Sequence, residues 1–225
     1  DRLRIGNCGK HRPGLRYERK YRVEDLGLAL ARQTIRQHPA SFRPLFPDRQ
    51  VNNIYFDTPT LTTYHENVQG IAQRKKFRVR WYGTGPISQP HLEIKIKDNQ
   101  LGDKQSRAVE AFDWGDLRPL QEEVQRHAGN FAVLRPTLVN AYQRAYYATP
   151  NGHFRLTLDW NQRYFSLYTG RQFTRFNLRD ESVVLELKYE AAYEAEVDRI
   201  RQFLPFRQTK SSKYVTGMNL LGQLY

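Results

Sequence analysis

The sequence predicts an α+β protein, a closed eight-stranded antiparallel β-barrel with flanking helices. Two observations carry this. First, five strand-like segments alternate charge with apolar side chains: RYERKYRV from Arg16, KFRVRWYG from Lys76, HLEIKIK from His91, HFRLTLD from His153 and VVLELKYE from Val183. Successive strand residues point to opposite faces, so each segment has one charged and one apolar side. Second, about eight strands are separated mostly by turns, with amphipathic helices interspersed. If the charged faces point inward, the helices cover the apolar faces and a charged lumen results. An ordinary one-sided sheet with a solvated charged face has the same periodicity.

In chain order, residues 1–14 read as a loose basic lead-in to the strand from Arg16. A helix over Glu24–Gln37 follows, with Leu26, Leu30 and Ile35 near helical spacing and His38-Pro39 as its stop. A Pro-broken loop leads to VNNIYFDT, a strand ending near Asp57. Thr58-Pro59 reads as N-cap and first position of a short helix through Val68. Strands Gln73–Gly83 and His91–Asp98 are joined by a Gly/Pro/Ser turn, and Lys104–Ala111 adds another. A helix over Asp113–His127 puts Leu117, Leu120 and Val124 on one side and stops at Gly129. LVNAYQRAYYAT is a strand, Pro150-Asn151-Gly152 a turn, and HFRLTLDW the next strand. Arg163–Tyr168 and Val183–Glu190 complete the strands, with a basic loop between them. A helix over Ala192–Phe203 and a basic tail entering a short helix end the chain. No repeat or linker divides it, and residues 1–225 read as a single domain.

Composition narrows the partners. The 225 residues carry a formal net charge of +13, which calls for an acidic partner: nucleic acid, an anionic surface or a phosphate-rich small molecule. Arg78 and Arg80 share one strand face, as do Lys95 and Lys97. Such alternate cations sit about 7 Å apart and repel by roughly 2 kcal/mol at an effective dielectric near 20. Stacking such pairs on neighbouring strands is unfavourable unless something anionic lies among them, and polyphosphate is the natural candidate. Nucleic acid is disfavoured, because the basic residues lie on strand faces and no RNP-like motif occurs. The lone Cys8 makes no internal disulfide, which points to a reducing, cytoplasmic setting. No apolar run approaches the ~20 residues of a membrane span, so any membrane link is expected through partners or regions outside this chain. The N-terminus lacks an initiator Met, so the chain is read as a fragment or processed form. There is no GxxxxGK[ST] loop, and the six histidines show no metal-ligand spacing.

The ordered motifs RYERKY, IYFDTP, FRVRWYG, LEIKIK, LELKY and KSSKY, from Arg16 to Tyr214, resemble the VTC domain. This is the polyphosphate-polymerase domain of the vacuolar transporter chaperone complex, a branch of the CYTH-like triphosphate tunnel metalloenzymes. The resemblance implies an eight-stranded tunnel that binds ATP, inorganic triphosphate or polyphosphate and needs a divalent metal, Mn²⁺ or Mg²⁺. It implies phosphate-handling roles for Lys20, Arg78, Arg80, Lys95, Arg144, Lys210 and Lys213, with Lys97, Tyr142 and Lys188 as further substrate contacts. It implies Glu186 as a metal ligand, with Glu18 and Glu190 behind it. The wider superfamily begins with Glu-x-Glu-x-Lys, whereas Arg16 replaces the first glutamate here. That loss weighs against metal-dependent hydrolysis.

The residue types suit phosphoryl transfer, which needs in-line positioning and neutralised oxygens more than covalent help. Arginines offer forked contacts and lysines point charges. Glu93 and Asp159 are expected to pair with Lys97 and Arg155. Lys188 is read either as lining the tunnel or as pairing with Glu190. No carboxylate in their own strand is placed to neutralise Arg78 and Arg80. The expected activity is a polyphosphate polymerase moving the terminal phosphoryl group of ATP onto a growing chain. The alternatives are a hydrolase of triphosphate or a triphosphate ester, and a non-catalytic polyphosphate-binding module.

Overall fold

One antiparallel sheet organises the molecule. The computed structural model describes residues 16–23, 27–98, 101–129, 131–167 and 178–222. The expected lead-in at 1–14, Leu26 and Tyr168 lie outside the described residues. The strands are β1 (Arg16–Val23), β2 (Arg43–Asp57), β3 (Gln73–Tyr82), β4 (His91–Asp98), β5 (Leu101–Ala108), β6 (Arg135–Ala148), β7 (Phe154–Ser166), β8 (Leu178–Asp180) and β9 (Val183–Glu190). The helices are α1 (Gly27–Gln37), α2 (Thr62–Gln69), α3 (Arg118–Ala128), α4 (Val197–Arg201) and α5 (Lys213–Gly222).

The strand order is β1-β9-β7-β6-β2-β3-β4-β5, with β8 beside β7. This corrects the expected closed eight-stranded barrel. Among the described residues there are nine strands, and the sheet is strongly curved without closing. Its ends, β1 and β5, come near one another but do not pair. Ionic side chains span the gap instead: Lys95 of β4 donates to Glu18 of β1 at 2.6 Å. β8 escapes a pattern-based reading because three residues are too few to show a period.

Strand parity decides the two faces. On the convex side, Tyr21, Leu156, Leu158, Leu185 and Leu187 pack with Ala31 and Ile35 of α1 and with Val197 and Ile200 of α4. A second convex cluster joins Phe77, Val79, Leu92 and Ile94 to Leu120, Val124 and Ala128 of α3. Full burial of such side chains is worth about 1.5–3 kcal/mol each. That is why the charged parity is left on the inner face.

The third cluster lies on the inner face. Tyr55 stands opposite Arg78 in the β2–β3 register and joins Leu138 and Tyr164 in covering Tyr214 and Leu221 of α5. Gly217 permits this seat, because a Cβ there would lie 2.5 Å from the Tyr164 ring. The Tyr55 and Tyr214 rings stack at 5.1 Å. The inner face is therefore a trough closed at one end by α5.

Other boundaries shift for identifiable reasons. The Pro-broken loop before Val51 belongs to β2, whose first half pairs only with β6 through irregular register, so exposed Pro44 and Pro47 interrupt no second ladder. Thr58-Pro59 does not begin α2. That helix starts at Thr62, and the buried Asp57 carboxylate accepts the Thr63 and Tyr64 N–H groups. In α1 the buried apolar residues are Ala31 and Ile35 rather than Leu30. The segment expected as Arg163–Tyr168 continues β7 past a left-handed Asn161 (φ 51°). The helix expected over Ala192–Phe203 is a 3-10 turn, Ala191–Glu196, followed by α4.

Candidate phosphate-binding trough

Strand register brings most of the expected residues onto the inner face. Lys20 stands opposite Glu186, and Glu18 opposite Lys188. Thr157 follows on β7, opposite Glu186, then Asp159 opposite Arg144 on β6. At the other end of the sheet, Arg78 faces Glu93 and Lys76 faces Lys95.

Four carboxylates hold these cations in place. Glu93 takes Arg78 at 2.6 Å, Lys104 at 2.6 Å and Arg80 at 3.8 Å. Asp159 takes Arg144 in a two-pronged contact at 2.5 and 2.7 Å, and Lys213 at 2.6 Å. Glu186 takes Lys188 at 2.8 Å and Lys20 at 3.8 Å. Glu18 takes Lys95 at 2.6 Å and Lys188 at 4.0 Å. One expectation is thereby corrected. Glu93 and Asp159 do not pair with Lys97 and Arg155, because same-face cations on adjacent strands reach them first. The carboxylate that neutralises Arg78 and Arg80 comes from the neighbouring strand.

The electrostatics follow the pairing. Burial alone raises carboxyl pKa values, yet Glu186 is held well below the ordinary range by Lys188, Lys20 and Arg144. Burial likewise works against ionised Asp159, but Arg144 and Lys213 bring it down to about 2. Glu18 is lowered, against burial and the nearby Glu186, by Lys95, Lys188 and Lys20. Tyr142 is wholly buried under the Lys213 ammonium, with its hydroxyl 3.2 Å from Arg80 Nη2. Its pKa falls, against burial, because of Arg144 and Arg80.

Not every expected residue joins the trough lining. Lys210 is exposed. Glu190 is exposed at the end of β9, four residues from Glu186 and so about 13 Å along the strand. Lys97 is half-buried beside Arg74, opposite it on β3, and burial with the Arg74 charge lowers its pKa. Among the described residues no three acidic, histidine or cysteine side chains converge as a metal cage.

Sequence reasoning missed Lys76, Lys104, Asn53 and the Ser211-Ser212 pair. Lys76 was legible in principle, since it lies two residues before Arg78 on the same face. Its Nζ is 3.0 Å from Ser212 Oγ, while Lys20 Nζ donates to the Ser211 carbonyl at 2.9 Å. Asn53 accepts from Arg80 Nε at 3.0 Å and fixes that guanidinium. Buried Thr157 Oγ1, opposite Glu186, has no hydrogen-bond partner among the described residues.

The curved antiparallel sheet thus carries a basic trough on its inner face, with α1, α3 and α4 packed on the convex side. The VTC-domain family profile matches residues 15–222, and the chain belongs to that family. No curated protein matches the sequence at a significant level. Among solved structures, the chain is similar to a candidate adenylate cyclase from Vibrio parahaemolyticus, with 15% identity and a TM-score of 0.53 over 90% of this chain and 97% of that one. It is also similar to a candidate adenylate cyclase from Bacillus halodurans, with 12% identity and a TM-score of 0.52 over 88% and 94% of the two chains. At such identities the likeness is one of fold.

Proposed function

We propose that the protein is a phosphoryl transferase that holds the triphosphate of ATP in the trough and moves its terminal phosphoryl group onto a polyphosphate chain. The observation that carries this reading is the charge imbalance of one face. Lys20, Lys76, Arg78, Arg80, Lys95, Lys104, Arg144, Lys188 and Lys213 stand against Glu18, Glu93, Asp159 and Glu186. A phosphoanhydride chain is linear, flexible and charged at every unit, which suits a row of cations on neighbouring strands.

The roles follow from exposure and geometry. Arg144 and Arg80 are nearly inaccessible and already oriented by Asp159 and by Asn53 and Tyr142. They act as a preorganised floor of positive charge, which costs no reorganisation as charge moves during transfer. Arg78, Lys20, Lys95 and Lys188 are more open and can exchange a carboxylate for phosphate oxygens.

The donor set fits a small divalent cation of the Mg²⁺ or Mn²⁺ kind, which keeps waters and needs only one or two protein carboxylates besides phosphate oxygens. Glu186 and Glu18 lie close enough to perturb each other's titration and would hold it. Glu190 is too far along β9 to join them. When bound, the ion supplies neutralisation of non-bridging oxygens.

A second reading is supported by α5. A trough closed at one end suits a short triphosphate as well as a growing chain, so hydrolysis of inorganic triphosphate is the alternative. Incubation with ATP and, separately, with inorganic triphosphate, each with Mn²⁺, read by gel for long chains and by colorimetry for free phosphate, separates the two. Long chains are expected. Stoichiometric free phosphate without chains would establish the hydrolase, and neither product would leave a binding module.

A further inference from the structure

The cation that stands apart in the trough is Lys76. Its neighbours on the inner face are satisfied in a regular way, because Glu93, Asp159, Glu186 and Glu18 each bind two or three of them. Among the described residues no carboxylate lies within ion-pair distance of Lys76. Its polar contact is Ser212 Oγ at 3.0 Å, an oxygen that also accepts from Asn67 of α2 at 3.1 Å. The charges that act on it most strongly are Arg74 and Arg78 along β3, Lys95 from β4 and Lys20 from β1. Burial and these four cations hold the Lys76 ammonium well below the ordinary lysine range. A half-buried lysine placed among cations is a standing electrostatic cost to the empty protein.

Two strands far apart in the sheet order converge here. Lys20 of β1 reaches the Ser211 carbonyl, and Lys76 of β3 reaches the Ser212 hydroxyl. Immediately after these serines in the chain, α5 packs onto the inner face. Tyr214 is buried and donates to Asp57 at 2.6 Å, and Gly217 is wedged against Tyr164 and Leu138. A terminal phosphoryl group carries up to about two negative charges near neutrality, against about one for an internal unit, and so matches an unneutralised cation best.

We propose that Lys76, with Lys20 and Ser212, forms a subsite for the free terminal phosphoryl group of a polyphosphate or nucleoside triphosphate. The protein thus reads chain ends rather than chain interiors. This rests on the reading of the trough as a phosphoanhydride site, and the test separates the two.

Calorimetric titrations without divalent metal compare inorganic tripolyphosphate (two free ends), ATP (one) and diadenosine tetraphosphate (none). The wild-type protein is expected to bind the first two at least about tenfold more tightly than the third. That corresponds to about one charge-assisted hydrogen bond. Lys76→Met should bring all three within about threefold, because the loss falls most heavily on the free-ended ligands. Lys76→Gln should behave likewise, and Lys76→Arg should retain the preference. A cooperative thermal transition and an unchanged far-ultraviolet circular dichroism spectrum show that the variants are folded. Equal weakening toward all three ligands, or an unchanged preference, would overturn the end-reading role while leaving the trough intact. No binding of any of them by the wild-type protein would overturn the trough reading itself.

Discussion

At the scale of single residues, the trough separates two ways of handling charge. Glu186 is buried between Lys188 and Lys20, so removing its charge frees two ammoniums without changing the side-chain volume. Glu186→Gln is expected to abolish Mn²⁺-dependent turnover while preserving or tightening polyphosphate binding. Arg80→Ala removes an oriented guanidinium that Asn53 and Tyr142 hold in place. It should weaken binding itself by about 1.5–3 kcal/mol. Calorimetry beside a turnover assay checks both, and normal turnover by Glu186→Gln would transfer the metal role to Glu18. Lys76 makes the opposite prediction for stability. A base whose folded pKa lies below its unfolded value of about 10.5 binds its proton less tightly in the native state. The fold is therefore destabilised at neutral pH, and the penalty fades only as pH rises toward 10.5. Lys76→Met should raise the melting temperature of the ligand-free protein at pH 7, by about 2–4 °C if the relief is about 1 kcal/mol. Scanning calorimetry showing a lower melting temperature would mean that the Ser212 contact outweighs the repulsion.

At the scale of elements, α5 decides the shape of the site. Gly217→Ala places a methyl group against Tyr164 and Leu138, both fully buried. Overpacking of this kind costs about 1–3 kcal/mol, and the relief available is movement of α5 away from the trough floor. The variant should melt earlier and lose part of the preference for free-ended ligands, measured by thermal unfolding and the same calorimetry. Stability and preference both unchanged would show that α5 does not set the end of the trough. This helix also marks where the sequence stops being legible. Strand parity showed that Arg78 and Arg80, or Glu186 and Lys188, share a face, because a period of two is a local property. It could not show that a tail helix returns to the inner face, since the contact between Tyr214 and Asp57 joins residues 157 positions apart. The partners of Glu93 and Asp159 were hidden for the same reason: cross-strand register is a non-local fact. Closure into a barrel was an inference from strand number, and the ends of the sheet meet through Lys95 and Glu18 instead of a backbone ladder.

At the scale of the whole molecule, the two faces of the sheet oppose each other energetically. The convex clusters under α1, α3 and α4 supply the apolar burial that holds the fold, and in doing so they commit the alternate residues of every strand to one concave surface. That surface keeps more cations than carboxylates, so the empty protein carries repulsion that a bound polyanion relieves. A ligand that binds only the folded state stabilises it by RT ln(1 + [L]/Kd), about 2.7 kcal/mol at a hundredfold excess over Kd. For a domain of this size that is a rise of roughly 5–10 °C. Screening by simple salt acts on all surface charges and falls with Debye length, whereas a linear polyanion can place several phosphates on successive strands at once. Tripolyphosphate is therefore expected to raise the melting temperature well beyond sulfate at matched ionic strength, and the excess should shrink in Arg80→Ala. An equal response to the two anions would reduce the trough to a non-specific basic surface, and the proposed transferase would lose its binding site.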